Sequence, residues 1–129
     1  MPVVFVHDTQ TRTKDRVRRM LEAANRAVSR ALDLPRNTVW VRYDPGKPGY
    51  YWEGEKGEVP TQSRPVFVLI RMLRGRPREK IRPMFAELST AIAGALNMLP
   101  DYVWMRVEEL DPELVAQGAR TYAELRDLK

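Results

Sequence analysis

The second residue, Pro2, is the first candidate for chemistry in this sequence. A small second residue normally permits removal of the initiator Met1, which would leave Pro2 with a free secondary amine. Such an amine is a good base or nucleophile once burial lowers its pKa towards neutrality. While Met1 persists, the Pro2 nitrogen is an amide and this chemistry is absent. The structural alternative is that Pro2 merely starts an edge strand, where its missing N–H costs little.

The segment Arg74-Gly75-Arg76 is the second candidate. Two arginines one residue apart, around a glycine that permits close backbone approach, suit a bidentate grip on an anion such as a carboxylate. A solvated turn is the alternative interpretation. Arg71 is a weaker candidate for the same grip, because a strand can point it to either face of a sheet.

Composition excludes several classes of protein. The chain has 129 residues, no Cys and a single His, which argues against a disulfide scaffold, thiol catalysis, a thiolate or His-based metal site and a Ser–His triad. No apolar run is long enough for a membrane span, and no signal peptide is visible. We therefore expect a cytoplasmic protein without cofactor, metal or membrane association. A net charge of +5, carried more by Arg than by Lys, predicts anionic partners.

The elements that must position these residues occur twice. Residues 12–42 align with residues 76–106 without a gap, at a constant shift of 64 positions. Equivalent pairs include Arg12 and Arg76, Met20 and Met84, Val28 and Ile92, Leu32 and Leu96, and Trp40 and Trp104. We interpret residues 1–129 as a single domain of two repeats. The repeats cover about residues 1–50 and 65–110, with a connecting loop at 44–64 and a C-terminal tail at 111–129.

Each repeat is predicted to form a strand, a helix and a strand. Short β-rich apolar runs occur at residues 3–6, 39–41, 66–70 and 103–105. Apolar residues at spacings of three and four predict amphipathic helices between them, the first starting near Thr13. Two such βαβ units predict an α+β fold with one four-stranded sheet and both helices on one face. The other face would stay bare, which predicts association with further subunits.

A duplicated βαβ unit that begins with a proline resembles the tautomerase superfamily, which includes 4-oxalocrotonate tautomerase (4-OT) and macrophage migration inhibitory factor. Arg12, in Thr11-Arg12-Thr13, stands where 4-OT has a substrate-binding arginine, and residues 27–35 resemble the helix end of that family. Two fused units resemble the cis-3-chloroacrylic acid dehalogenase and malonate semialdehyde decarboxylase branches. The resemblance implies a homotrimer, a small carboxylate substrate, a catalytic Pro2, and Arg74 and Arg76 as the grip on the substrate.

The sequence departs from these branches at several positions. The dehalogenase branch has a His on the first helix, where Asn25 stands, and a Tyr on the last strand, where Arg106 stands. It has a water-activating Glu in the tail, near Gln117. The decarboxylase branch has an Asp where Asn37 lies, and 4-OT has an arginine where Trp40 lies. Each loss of a proton-transfer group weakens the prediction of that branch's own reaction.

The leading hypothesis is enol–keto tautomerisation of a small 2-oxo or unsaturated carboxylate, with Pro2 as acid and base. Further substrate-binding candidates, besides Arg74 and Arg76, are Arg12, Asn37, Trp104, Arg106 and Gln117. A second hypothesis is hydration, dehalogenation or decarboxylation of a three-carbon acid by the same proline. Alternatives of another class are a catalytically silent trimeric scaffold and an RNA-binding module. No nucleic-acid partner is expected, because the arginines do not alternate with aromatic residues along one strand.

Overall fold

A four-stranded sheet with two long helices forms the body of the protein. The computed structural model describes residues 1–55, 57 and 59–127. The strands and helices are β1 (Pro2–Asp8), α1 (Lys14–Leu32), β2 (Trp40–Asp44), β3 (Val66–Leu73), α2 (Arg78–Leu96), β4 (Val103–Leu110), β5 (Ala116–Gln117), β6 (Arg120–Thr121) and α3 (Tyr122–Asp127). Short 3-10 turns lie at Arg36–Thr38, Thr61–Ser63 and Pro100–Tyr102.

The strand order is β2-β1-β3-β4, with an antiparallel pair in the centre and a parallel pair on each side. Pro2 lies opposite Met72, and Met72 lies opposite Glu109. The starts of β1 and β2 and the ends of β3 and β4 therefore lie at the same end of the sheet. We call it the Pro2 end. A strand rises about 3.3 Å per residue, so Asp8 lies about 20 Å away, at what we call the Asp8 end.

The predicted fold class is confirmed, because each half of the sheet is a βαβ unit and the helices share one face. The core lies between the sheet and the helices, and it contains the same positions of both repeats. Met20 and Met84, Val28 and Ile92, and Leu32 and Leu96 are all buried. The gap-free alignment of the repeats therefore reflects equivalent packing of α1 and α2.

Side chains alternate between the two faces of each strand. Val4 and Val6 of β1 face the helices and are fully buried, whereas the residues between them are partly open to solvent. We call the side away from the helices the open face. Its residues are Val3, Phe5 and His7 of β1, Trp40, Arg42 and Asp44 of β2, Phe67, Leu69, Arg71 and Leu73 of β3, and Trp104, Arg106, Glu108 and Leu110 of β4.

The third and fourth strands are longer than the sequence predicted. Parallel pairing of β3 with β4 continues to Leu73 and Leu110, well beyond the apolar runs. In this extension Arg71 Nε lies 3.1 Å from Glu108 Oε2, and the Arg71 guanidinium lies 5.1 Å from the Phe5 ring centre. The correction has a physical reason: cross-strand ion pairs extend a ladder that apolar periodicity alone does not reveal.

Only parts of the connecting loop and of the tail pack against the rest of the protein. Tyr51 contacts Phe67, with ring centres 6.1 Å apart, and Phe67 contacts Trp104 edge-on at 5.9 Å. Tyr50 and Trp52 of the same loop are mostly exposed. In the tail, β5 and β6 pair as a short hairpin before α3. None of the helices that the structure describes is long and apolar enough to cross a lipid bilayer.

We expect Leu88→Ala, on the fully buried face of α2, to lower the free energy of unfolding by about 2–5 kcal/mol. The loss combines reduced apolar burial with an unfilled cavity. Urea denaturation of the variant measures it. The matched control is Leu114→Ala, because Leu114 is 83% exposed and its truncation should change stability by no more than about 0.5 kcal/mol. Equal losses in both variants would contradict the packing described above.

Candidate functional site

Pro2 lies at the first position of β1, on the side of the sheet that faces the helices. Pro2 is buried, and Met72, its partner on β3, is fully buried. The described chain includes Met1, so the Pro2 nitrogen is an amide in this form. Loss of Met1 would create an amine at the edge of the helix-covered layer, where water is partly excluded.

Arg74, Gly75 and Arg76 form the loop between β3 and α2, at the Pro2 end. Gly75 has a φ of 108°, a left-handed conformation that disfavours other residues, so the glycine shapes this turn. The Arg74 backbone N–H donates to the carbonyl of Leu110 at 3.0 Å, which ties the loop to the end of β4. Pro2, Arg74 and Arg76 thus lie at the same end of the sheet.

Arg76 is partly buried and its Nε is fully shielded from solvent. That nitrogen has no hydrogen-bond partner among the residues that the structure describes. Burial lowers the pKa of the Arg76 guanidinium, because desolvation disfavours the charged form. A buried donor without a partner costs free energy, so this group favours the binding of an acceptor.

Arg12, the equivalent residue of the first repeat, has its Nε and Nη1 paired, and only its Nη2 is buried without a partner among the described residues. It lies at the Asp8 end, and its side chain is 10% exposed. Arg12 Nε lies 2.9 Å from Asp8 Oδ2, and Nη1 donates to the carbonyl of Leu96 at 2.7 Å. In the second repeat, Met72 stands 64 positions after Asp8 and faces the same side of the sheet. Arg76 therefore lacks the carboxylate that holds Arg12.

Tyr43 completes the polar cluster around Asp8. Its hydroxyl donates to Asp8 Oδ2 at 2.6 Å. Burial raises the pKa of the Tyr43 hydroxyl well above its usual value, and the hydrogen bond to Asp8 raises it further. Within one chain this cluster is separated from Pro2 by the length of β1, so Arg12 is not brought to Pro2 by the fold of a single copy.

Two carboxylates at the Pro2 end were missed by sequence reasoning. Asp111 Oδ2 lies 3.3 Å from Arg74 Nη2, and Glu109 Oε1 lies 2.8 Å from Arg78 Nη2. Both follow from the parallel register of β4 beside β3, which aligns Glu109 with Met72. The available signal was the duplication itself, because it predicts where the fourth strand runs relative to Arg74.

Asn37 lies at the Pro2 end in the turn before β2, beside Asn25 of α1. Asn25 Nδ2 donates to the carbonyls of Arg36 and Val39 at 2.9 and 2.8 Å, and Arg36 Nε donates to Asn25 Oδ1 at 2.7 Å. An open cleft of about 430 Å³ adjoins this turn. It is lined by Leu21, Glu22, Asn25, Arg36, Asn37 and Val41.

The remaining sequence-predicted residues lie elsewhere. Trp104 and Arg106 belong to the open face, on the opposite side of the sheet from the helix-facing Pro2. Gln117 lies in the exposed hairpin of the tail, with its Oε1 3.4 Å from the Tyr122 hydroxyl. The structure therefore groups Asn37 with Pro2 at one end and separates Trp104 and Arg106 from it. Among the described residues, no group of three or more His, Asp or Glu side chains could hold a metal ion.

Comparison with known proteins gives a fold and no family match by sequence. No protein-family model matches the chain, and no curated protein matches it. Solved structures do match. A fused 4-OT, described as an asymmetric trimer, is 18% identical with a TM-score of 0.85, covering 96% of this chain and 98% of its own.

Two further structures belong to the branches that the sequence resembles. A member of the cis-3-chloroacrylic acid dehalogenase family is 16% identical with a TM-score of 0.80, covering 92% of this chain and 82% of its own. A malonate semialdehyde decarboxylase inhibited by 3-bromopropiolate is also 16% identical, with a TM-score of 0.77 and coverage of 98% and 97%. The chain has the tautomerase fold. The resemblance stated from the sequence is thereby confirmed at the level of the fold.

The raised pKa of Tyr43 predicts that the protein loses stability at alkaline pH. Above about pH 10 the unfolded chain releases the Tyr43 proton while the folded protein keeps it, so the free energy of unfolding falls as pH rises. Tyr43→Phe should make this alkaline loss shallower in urea denaturation measured from pH 8 to 12. Tyr50→Phe, at a residue that is 81% exposed, should leave the slope unchanged. An identical slope in the wild type and Tyr43→Phe would refute the assignment.

Proposed function

We propose that the protein is a tautomerase-like enzyme acting on a small 2-oxo or unsaturated carboxylate. After loss of Met1, the Pro2 amine is the acid and base, and Arg74 and Arg76 hold the substrate carboxylate. No cofactor is needed, because every step is a proton transfer that one amine can perform. The solved structures with this fold include enzymes of the tautomerase superfamily, which supports an enzymatic role.

The observation that carries the proposal is the state of Arg76. Its Nε is buried and has no partner among the described residues, and it lies in the loop that follows the strand beside Pro2. The equivalent arginine of the first repeat has a carboxylate on its Nε and a carbonyl on its Nη1. A substrate carboxylate at Arg76 would supply the acceptor that this repeat lacks.

The proposed reaction moves one proton off the substrate and returns one. The neutral Pro2 amine takes the proton of the enol hydroxyl, and its conjugate acid delivers a proton to the neighbouring carbon, which gives the ketone. Burial at the start of β1 and the nearby guanidinium groups both favour the neutral amine over the ammonium form. A carboxylate held at Arg76 would keep the enol within reach of the Pro2 nitrogen.

A second candidate is hydration, dehalogenation or decarboxylation of a three-carbon acid. The carboxylates Asp111 and Glu109 at the Pro2 end favour it, because such groups can orient a water molecule or stabilise a protonated Pro2. One structure with this fold is a decarboxylase inhibited by the three-carbon acid 3-bromopropiolate. A pH–rate profile separates the candidates: a rate that rises through neutral pH requires a neutral Pro2, and one that persists only below the amine's pKa requires a protonated Pro2.

A homotrimer that buries the open face is the proposed assembly. The face exposes about half of the surface of Trp40 (46%) and Trp104 (53%), on its two edge strands, and exposed apolar area of this kind is typical of interaction surfaces. A solved chain with the same fold is described as a trimer. In such an assembly Trp104 and Arg106, which lie on the open face, are candidates to complete the pocket of a neighbouring copy. Asn37 lies at the Pro2 end of its own copy, and Arg12 is bound to Asp8 and Leu96 within its own chain.

Replacement of the proposed base should abolish most of the activity. Pro2→Ala still permits removal of Met1 but replaces the secondary amine with a primary one, so ketonisation of phenylenolpyruvate should fall by about 10²-fold or more. Intact mass of both proteins verifies that Met1 is absent. Undiminished ketonisation by a Met1-free Pro2→Ala protein contradicts the assignment of Pro2.

Loss of the unpaired guanidinium should weaken substrate binding more than catalysis. Arg76→Gln removes charge-assisted hydrogen bonds to the carboxylate, so KM for phenylenolpyruvate should rise about 10- to 100-fold. Arg78→Gln is the matched control, since Arg78 is exposed and paired with Glu109, and its KM should change by less than about threefold. If both variants raised KM equally, net charge rather than a specific contact would explain the effect.

A further inference from the structure

The Asp111 carboxylate occupies one of the two arginines proposed to bind the substrate. Arg74 Nη2 lies 3.3 Å from Asp111 Oδ2, and the Arg74 side chain is 63% exposed. Arg74 and Asp111 are the residues that directly follow β3 and β4, because these strands end at the paired residues Leu73 and Leu110. A carboxylate of the protein thus stands where a carboxylate of the substrate would compete for the same nitrogen.

The position of Asp111 does not depend on Arg74. Asp111 Oδ1 accepts a hydrogen bond from the backbone N–H of Glu113 at 3.0 Å, and the Asp111 carbonyl accepts from the N–H of Leu114 at 2.9 Å. This turn fixes the carboxylate at the start of the tail. Arg74, in contrast, has a long exposed side chain beside an open cleft of about 490 Å³, so it is the mobile partner of the pair.

We propose that Asp111 is a specificity-determining residue of the site: it competes with the substrate carboxylate for Arg74 and so sets the affinity of the site for acids. The inference rests on the proposed function only in taking Arg74 as part of the grip. Binding of an acid then requires exchange of the Asp111 carboxylate for the ligand carboxylate, whereas Arg76 Nε binds without any such exchange. Arg74 and Arg76 therefore contribute unequally to carboxylate binding. Arg74 contributes less, because Asp111 competes for it.

The test is a double-mutant cycle of Asp111→Asn and Arg74→Gln, with pyruvate as the carboxylate probe followed by NMR titration. Asn keeps a side-chain oxygen for the Glu113 N–H, so the turn at the start of the tail is preserved while the competing charge is removed. Exposed ion pairs are weak, and we expect the pyruvate Kd to fall about two- to fivefold in Asp111→Asn at low salt. In the Arg74→Gln background the same substitution should change Kd by less than about 1.3-fold.

Glu113→Gln is the matched control. Glu113 lines the same cleft and carries the same charge, but among the described residues it makes no ion pair with Arg74. If Glu113→Gln lowers the pyruvate Kd less than Asp111→Asn does, the tighter binding in Asp111→Asn comes from loss of direct competition rather than from the change in net charge. Unchanged or weaker binding in Asp111→Asn, or equal tightening in the Arg74→Gln background, overturns the inference.

Failure of the proposed function gives a different result. If Arg76→Gln weakens pyruvate binding while Asp111→Asn has no effect, the grip stands and only the role of Asp111 is wrong. If neither Arg74→Gln nor Arg76→Gln changes pyruvate binding, the grip itself is wrong, and the competition at Arg74 is refuted with it.

Discussion

The antiparallel pairing of β1 with β3 is the constraint on which the site depends. It sets Pro2 opposite Met72, so the start of the chain meets the loop that carries Arg74 and Arg76. A slip of one residue in this register would turn Pro2 to the open face and expose the apolar side of β1. The buried alternation of Val4 and Val6 resists such a slip, and the core of the protein thereby holds the proposed base in place.

Much of the fold was predictable because the two helices repeat one pattern. Apolar residues at helical spacing recur after a constant shift, and Thr13 caps α1 by accepting a hydrogen bond from the Arg16 N–H at 3.3 Å. Strand lengths were not predictable in the same way. Their polar ends are stabilised by partners on a neighbouring strand, as Arg71 is by Glu108, and such partners emerge only once the register is known.

The same distinction applies to the candidate site. The resemblance implied that Pro2 and the arginine pair share a site, and the strand order places them at the same end of the sheet. It did not reveal Asp111 as the partner of Arg74, because that contact depends on where β4 ends beside β3. The family resemblance also did not show that Arg74 is paired with a carboxylate of the protein whereas Arg76 Nε is not. That difference depends on the side chains around each arginine.

Arg12 and Arg76 show how two repeats of one chain can differ in the environment of equivalent charged residues. Both stand at the same point of their repeats, yet Arg12 Nε binds the carboxylate of Asp8, whereas the strand position equivalent to Asp8 in the second repeat is Met72. Asp8 and Met72 occupy equivalent positions of the two repeats, and this difference leaves Arg12 Nε paired and Arg76 Nε without a partner among the described residues. A repeated backbone is thus compatible with different charge environments in its two halves, because the asymmetry resides in one buried ion pair.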